Sequence, residues 1–172
     1  MEEKDRKRMT QCFGYSAQDK SLKKWKDIAS ISKVARNYIV VMACKALPDT
    51  EWKNRIYRRI GVRMGKNVRI FGPNLDIFFP ELIEIGDDTL IGTNTMILTH
   101  EFLRESWRKG PVKIGKNVMI GAMTLILPGV TIGDEAVVAA YSLVNRNVAP
   151  GEMAGGVPIK TIRKALPGRR KP

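Results

Sequence analysis

From Ile114 onward an aliphatic residue recurs at every sixth position: Ile114, Ile120, Ile126, Ile132, Val138 and Val144. Four positions after each stands a small or β-branched residue: Val118, Thr124, Val130, Ala136, Ser142 and Val148. Residues two apart in an extended strand point to the same side, so Val118 and Ile120 share a face. The "GAM" between Ile120 and Thr124 leaves room for a corner. Each hexad therefore predicts a short strand and a turn, with both marked side chains turned inward. Such units stack as a parallel β-solenoid, each coil burying its inner residues on the next. A period of six excludes the 3.5-residue seam of a coiled coil. Gly115, Gly121 and Gly133 follow the aliphatic position and predict corners whose backbone suits glycine. Pro128-Gly129 is a further turn signal.

The same period runs upstream in another phase, at Ile85, Ile91 and Ile97, preceded by weaker hexads at Met64 and Ile70. The spacing from Ile97 to Ile114 is not a multiple of six. An excursion loop over about 101–111 is expected there, and loops on a rigid scaffold are where chemistry concentrates. Before residue 61 the pattern turns helical. Leu22, Trp25, Ile28 and Ala29 fall at helical spacing, as do Trp52, Ile56 and Ile60. Pro48 breaks the segment, Asp49 or Thr50 can cap the next helix, and Gly61 can stop it. The domain reading is a helical, basic segment over 1–61, which would pack on the open first coil. A hexapeptide-repeat region follows over 62–149, and a tail over 150–172.

The chain has 172 residues, about one domain, and its 44% hydrophobic content is that of a globular protein. Its net charge of +13 is uneven. Residues 1–70 hold 18 Lys/Arg against 7 Asp/Glu, whereas 71–160 hold 7 against 10. A basic half fits an anionic partner or simply solvated helix faces. No apolar run approaches the ~18 residues of a membrane span, and "MEEKDRKRM" lacks the order of a secretory signal. Cys12 and Cys44 give no disulfide framework, which fits a reducing, cytoplasmic setting. Two Cys and one His cannot build a dedicated zinc site from one chain, so no metal is expected.

The hexads, "THE" at 99–101 and "GGVPIKTIRK" at 155–164 resemble the hexapeptide-repeat acyltransferases, in particular the maltose and galactoside O-acetyltransferase-like branch. The resemblance implies a mainly β fold, a left-handed parallel β-helix with an N-terminal helical segment. It implies a homotrimer with active sites at subunit interfaces and acetyl-CoA as donor. On it, His100 matches the catalytic histidine, and Ala122 and Ala140 match small residues along the pantetheine path. Asn145, Arg146, Lys160 and Arg163 match positions near the nucleotide, where cations meet phosphates. The tail would close that cofactor site. Met119 stands where the family often has an aromatic residue, and the loop is shorter than usual.

His100 is the only histidine. Imidazole, with an ordinary pKa of about 6.5, suits proton removal from an acceptor attacking a thioester. The second ring nitrogen needs an orienter, for which Glu101 or a backbone carbonyl is a candidate. No nucleophilic Ser or Cys is required, because the donor is already activated. Asn74, Asp76, Arg104 and Trp107 are candidate acceptor contacts. Phe78 and Phe79 read as core or interface. Glu81, Glu84, Asp87 and Asp88 read as a solvated coil edge, and "LPGRRKP" as a basic end. The expected function is a coenzyme A-dependent O-acetyl or acyltransferase acting on a sugar, polysaccharide or glycolipid precursor.

Three other readings compete. One is N-acetyl transfer to an amino sugar or antibiotic. A second is a zinc carbonic anhydrase on the same scaffold, which a single histidine disfavours. The third is a non-catalytic solenoid resting on an anionic membrane through "KKWKDIASISKVARNYIVVMACK". That last role is compatible with an enzyme peripheral to the membrane. No nucleic-acid motif accompanies the charge.

Overall fold

The computed structural model describes residues 7–15 and 28–164. The expected helical positions Leu22 and Trp25 lie outside the described residues, as do the first half of "KKWKDIASISK" and the "LPGRRKP" tail.

The hexads form three parallel sheets that the chain visits in rotation. The first sheet contains β2 (Arg63–Met64), β5 (Ile83–Ile85), β10 (Val112–Ile114) and β13 (Thr131–Ile132). The second contains β3 (Arg69–Ile70), β6 (Leu90–Ile91), β11 (Met119–Ile120), β14 (Val137–Val138) and β16 (Met153–Gly155). β17 (Lys160–Arg163) closes this sheet, running antiparallel to β16. The third contains β4 (Asn74–Leu75), β7 (Met96–Ile97), β12 (Leu125–Ile126) and β15 (Leu143–Val144). Register stacks the aliphatic positions in columns. Ile85 lies on Ile114 and Ile114 on Ile132; Ile91 lies on Ile120 and Ile120 on Val138; Ile97 lies on Ile126 and Ile126 on Val144. Two runs out of phase in sequence are thus in register in space.

The columns are the core. All six aliphatic positions from Ile114 to Val144 are buried, and so are the six that follow them by four. Burying an Ile or Val side chain is worth about 1.5–3 kcal/mol, so the repeat itself supplies most of the driving force. Buried hydroxyls in the second column are satisfied by carbonyls: Thr89 Oγ1 donates to Gly115 O (2.8 Å) and Ser142 Oγ to Ala139 O (2.6 Å).

The corner glycines have a different cause from the one expected. Gly115, Gly121 and Gly133 do not adopt positive φ. A Cβ on Gly121 would run into the backbone of Ala139 and Ala140 on the next coil, and one on Gly133 would lie 2.5 Å from Pro150 N. The left-handed backbone falls two positions later, on Asn117 (φ 54°), Met123 (φ 59°) and Glu135 (φ 61°). Glycine here permits close stacking of coils, and the strained φ is carried by residues with side chains.

Two helices, α1 (Ile31–Lys45) and α2 (Glu51–Arg59), cover the first coil, which has no coil before it. Thr50 caps α2 and Gly61 (φ 107°) follows its end. Asp49 instead binds Arg69 Nε at 2.6 Å. The helices supply donors to coil carbonyls: Lys53 Nζ to Ile70 O (2.6 Å), Asn54 Nδ2 to Val68 O (2.7 Å), Arg58 Nη2 to Gly65 O (2.7 Å) and Asn37 Nδ2 to Ile77 O (2.9 Å). An open sheet edge is closed in this way, and its buried carbonyls are paired. No helix among the described residues is long and apolar enough to cross a membrane.

The N-terminal segment is not wholly helical. Gln11–Gly14 forms β1, which pairs antiparallel with the excursion. The excursion is itself a hairpin of β8 (His100–Phe102) and β9 (Ser106–Lys109), so β1, β9 and β8 make a small antiparallel sheet. The acidic coil edge is more engaged than a solvated edge requires. Asp87 Oδ1 accepts Lys66 N at 2.9 Å across coils, Glu81 pairs with Lys33 at 2.8 Å and Glu84 with Arg63 at 3.2 Å.

Candidate active site

His100 opens β8, where the third sheet gives way to the hairpin. Its Nδ1 lies 2.6 Å from Asp76 Oδ2, one residue beyond β4. The Asp76 side chain is fully buried and that of His100 is 13% exposed. Every remaining acceptor site of Asp76 is used locally: Oδ1 accepts Phe78 N (2.8 Å) and Phe79 N (3.1 Å), and Oδ2 accepts Thr99 N (2.8 Å). Burial alone would raise the Asp76 pKa. The hydrogen bond and charge of His100 and the N–H groups of Thr99 and Phe79 outweigh it and hold the carboxyl below its ordinary value. An ionised Asp76 can only accept, so Nδ1 is the donor to it, and the neutral form of the ring then has its lone pair on Nε2. Three rings enclose the imidazole, with centroids at 4.5 Å (Phe78), 4.9 Å (Phe102) and 5.9 Å (Phe79).

Glu101 does not orient His100. Successive strand residues point to opposite faces, so Glu101 leaves the hairpin on the side away from the imidazole. There it pairs with Arg8 (3.1 Å) and Arg108 (2.7 Å). Asp76, expected among acceptor contacts, is instead the carboxylate bonded to the ring. Trp107 is not an open acceptor wall: it stacks between Phe13 (4.5 Å) and Phe79 (6.0 Å), with Lys109 Nζ over the stack at 5.1–5.8 Å from the three centroids. Arg104 lies exposed in the turn between β8 and β9. Asn74 stays beside His100 on the wall of one cavity, with its Oδ1 accepting from Lys45 Nζ at 3.0 Å.

The residues expected to meet the cofactor lie in later coils. Ala122 and Ala140 stand at successive corners next to the second sheet, their backbones against Gly92 and Gly121. Asn145, Lys160 and Arg163 are exposed. Arg146 is committed to the chain: it donates to Glu152 Oε1 (3.1 Å), Thr161 Oγ1 (3.1 Å) and Asn147 O (2.8 Å), and so anchors β17 rather than facing outward as a phosphate ligand. Sequence reading missed the pairing of Asp76 with His100, the aromatic collar of Phe78, Phe79 and Phe102, and the strap β1. A carboxylate inside the apolar run "NLDIFF" was the available signal for the first.

Residues 111–146 match the model of the bacterial transferase hexapeptide family (six repeats). The Bacillus subtilis (strain 168) protein YvoF, an acetyltransferase by name, is 46% identical over 132 residues, spanning 76% of this chain and 77% of that protein. The chain belongs to the hexapeptide-repeat acetyltransferase family. Galactoside O-acetyltransferase of Escherichia coli (strain K12) is 40% identical over 98 residues, covering 53% of this chain and 48% of that one. In three dimensions the fold is similar to that of a galactoside acetyltransferase in complex with coenzyme A, with a TM-score of 0.63 at 23% identity over 78% of this chain and 82% of that one.

Proposed function

We propose that the protein is a coenzyme A-dependent O-acyltransferase in which His100 is the general base. The observation that carries this is the Asp76–His100 pair, which supports the tautomer a base needs. His100 Nε2 takes the proton of an acceptor hydroxyl as its oxygen attacks the thioester carbonyl. The tetrahedral intermediate collapses, the C–S bond breaks, and the imidazolium returns the proton to the departing thiolate. Asp76 is a positioning residue: it holds Nδ1–H and balances the transient positive charge. Phe78, Phe79 and Phe102 limit water around the imidazole. Donor chemistry is supported by the coenzyme A bound in the galactoside acetyltransferase structure and by the family match.

In this reading the three sheets wind as a left-handed parallel β-helix, and three copies assemble with the cleft between neighbours. Ala122 and Ala140 leave room for the pantetheine arm, and Lys160 and Arg163 meet the nucleotide phosphates. The acceptor is a hydroxyl compound of the sugar or glycolipid type. Free thiol release from acetyl-CoA, followed across an acceptor panel for wild type and His100→Ala, tests the reading. Equal turnover by both proteins on a productive acceptor would sink it.

A further inference from the structure

A cavity of about 300 Å3 opens beside His100, at the lower end of the range for ligand pockets. It lies between α1 and the first two coils. Tyr38, Val41 and Met42 come from the helix, and Phe78, Met96 and Leu98 from the coil side. On the coil side the polar residues of the wall are largely spent, and the helix side adds the hydroxyl of Tyr38. Asn74 Oδ1 holds Lys45 Nζ, and both oxygens of Asp76 are bonded within the site. That leaves the amide nitrogen of Asn74 and Nε2 of His100 as the coil-side groups able to meet a polar atom. A free sugar has a hydroxyl on nearly every carbon, and buried hydroxyls without partners are disfavoured.

The cavity is continuous with an unusual surface. α1 buries one stripe, Val34, Asn37, Val41 and Cys44, yet also exposes an apolar one. Ile31 (52% exposed), Tyr38 (52%), Ile39 (66%) and Met42 (46%) fall on it at helical spacing. Tyr38 and Met42 belong to both, so an apolar chain entering the cavity has a path outward along the helix.

On the reading that His100 activates an acceptor hydroxyl, we infer that this cavity is an acceptor subsite for an apolar group. Within the sugar or glycolipid type, the substrate class is one that carries an alkyl or aryl group a few bonds from the reacting hydroxyl, rather than a free hydrophilic sugar. One hydroxyl sits at the polar rim formed by Asn74 and His100, and the hydrocarbon lies against α1. The donor's acyl chain is the weaker occupant. The residues placed along the coenzyme A path come from positions 122–163, whereas the cavity is built from 38–100, on the other side of His100 in the stack of coils.

The test is calorimetric titration of the full chain with n-octyl and methyl β-glucoside, the former below its micelle-forming concentration. Wild type and His100→Ala should bind the octyl probe about ten-fold more tightly than the methyl one, from burial of its methylenes. Met42→Glu and Tyr38→Ser should lose that difference while keeping the wild-type circular dichroism. Equal binding of the two probes, or a difference that survives both substitutions, overturns the inference. So does displacement of the octyl probe by octanoyl-CoA but not by acetyl-CoA, which would give the cavity to the donor. A drop in assembly mass in Met42→Glu, read by light scattering, would make the stripe a subunit interface and also overturn it. Thiol release is followed in parallel. Its absence with every alcohol, the binding pattern being intact, counts against acyl transfer and not against the apolar site.

Discussion

Asp76 and His100 are 24 positions apart in the chain and 2.6 Å apart in space, joined Oδ2 to Nδ1. Register creates the pair. Leu75 lies beside Ile97, so the residues leaving β4 and β7 travel together, and Asp76 N donates to Ile97 O at 3.0 Å. On the proposed role of His100 as base, His100→Ala should lower kcat by about 10²–10⁴-fold. Asp76→Asn should lower it less, by roughly 10–100-fold by analogy with the loss of other partners that orient a histidine. The acceptor KM should move little, and the pH dependence of kcat should change shape because imidazolium loses its counter-charge. A variant with an unchanged pH profile would reduce Asp76 to a structural role.

From outside, the strap β1 braces the hairpin that carries His100. Phe13 stacks on Trp107, which stacks on Phe79, which meets His100 edge to face. Phe13→Ala removes the outermost ring, and such aromatic contacts are worth about 0.5–1.5 kcal/mol beyond area burial. Faster amide exchange is expected over residues 100–109, with the coil strands unaffected. Unchanged exchange in the hairpin would show that β1 is held there without supporting it.

Much of this fold was legible because hexads are read by simple counting. Every column position from Ile114 to Val148 is inside, and the break in phase marked the hairpin. The hairpin's strand character was not legible, since its partner strand β1 lies some ninety positions away and "QCFG" has no strong alternation. His100 stood out as a lone histidine, but its partner did not. Glu101 is adjacent in sequence, and only the strand's alternation and the β4–β7 register decide between it and Asp76. The glycine corners taught a similar lesson: sequence shows where glycine stands, but close coil approach and positive φ leave the same mark.

Those two causes separate by mutation. Gly121→Ala pushes a Cβ into the backbone of Ala139 and Ala140, and it should destabilise by about 1–3 kcal/mol in urea unfolding, as overpacking does. Tyr141 has φ 55° and is exposed. Tyr141→Gly relieves a left-handed backbone and loosens the unfolded chain, so its net effect should stay within about 1 kcal/mol of zero. If both changes cost the same, stacking distance is not what selects glycine.

Glu152 ties the last coil to β17. Its Oε1 accepts Thr161 Oγ1 (2.5 Å) and Arg146 Nη2 (3.1 Å), and its Oε2 accepts Ala149 N (2.8 Å). Burial alone would raise its pKa, but the bonds from Thr161, Ala149 and Arg146 prevail and hold it below the ordinary value. A carboxylate depressed in the folded state contributes stability that is fully present above its unfolded pKa of about 4.3, and this is lost as pH falls through the lower folded value. Urea midpoints of the wild type should therefore fall between about pH 5 and pH 3 more steeply than those of Glu152→Gln. At pH 7 the variant should be less stable by about 1–3 kcal/mol, because its amide nitrogen faces donors where a carboxylate oxygen accepted. Parallel pH curves for the two proteins would mean that the acid sensitivity lies elsewhere, with Asp76 next in line, since it too is buried and held below its ordinary value.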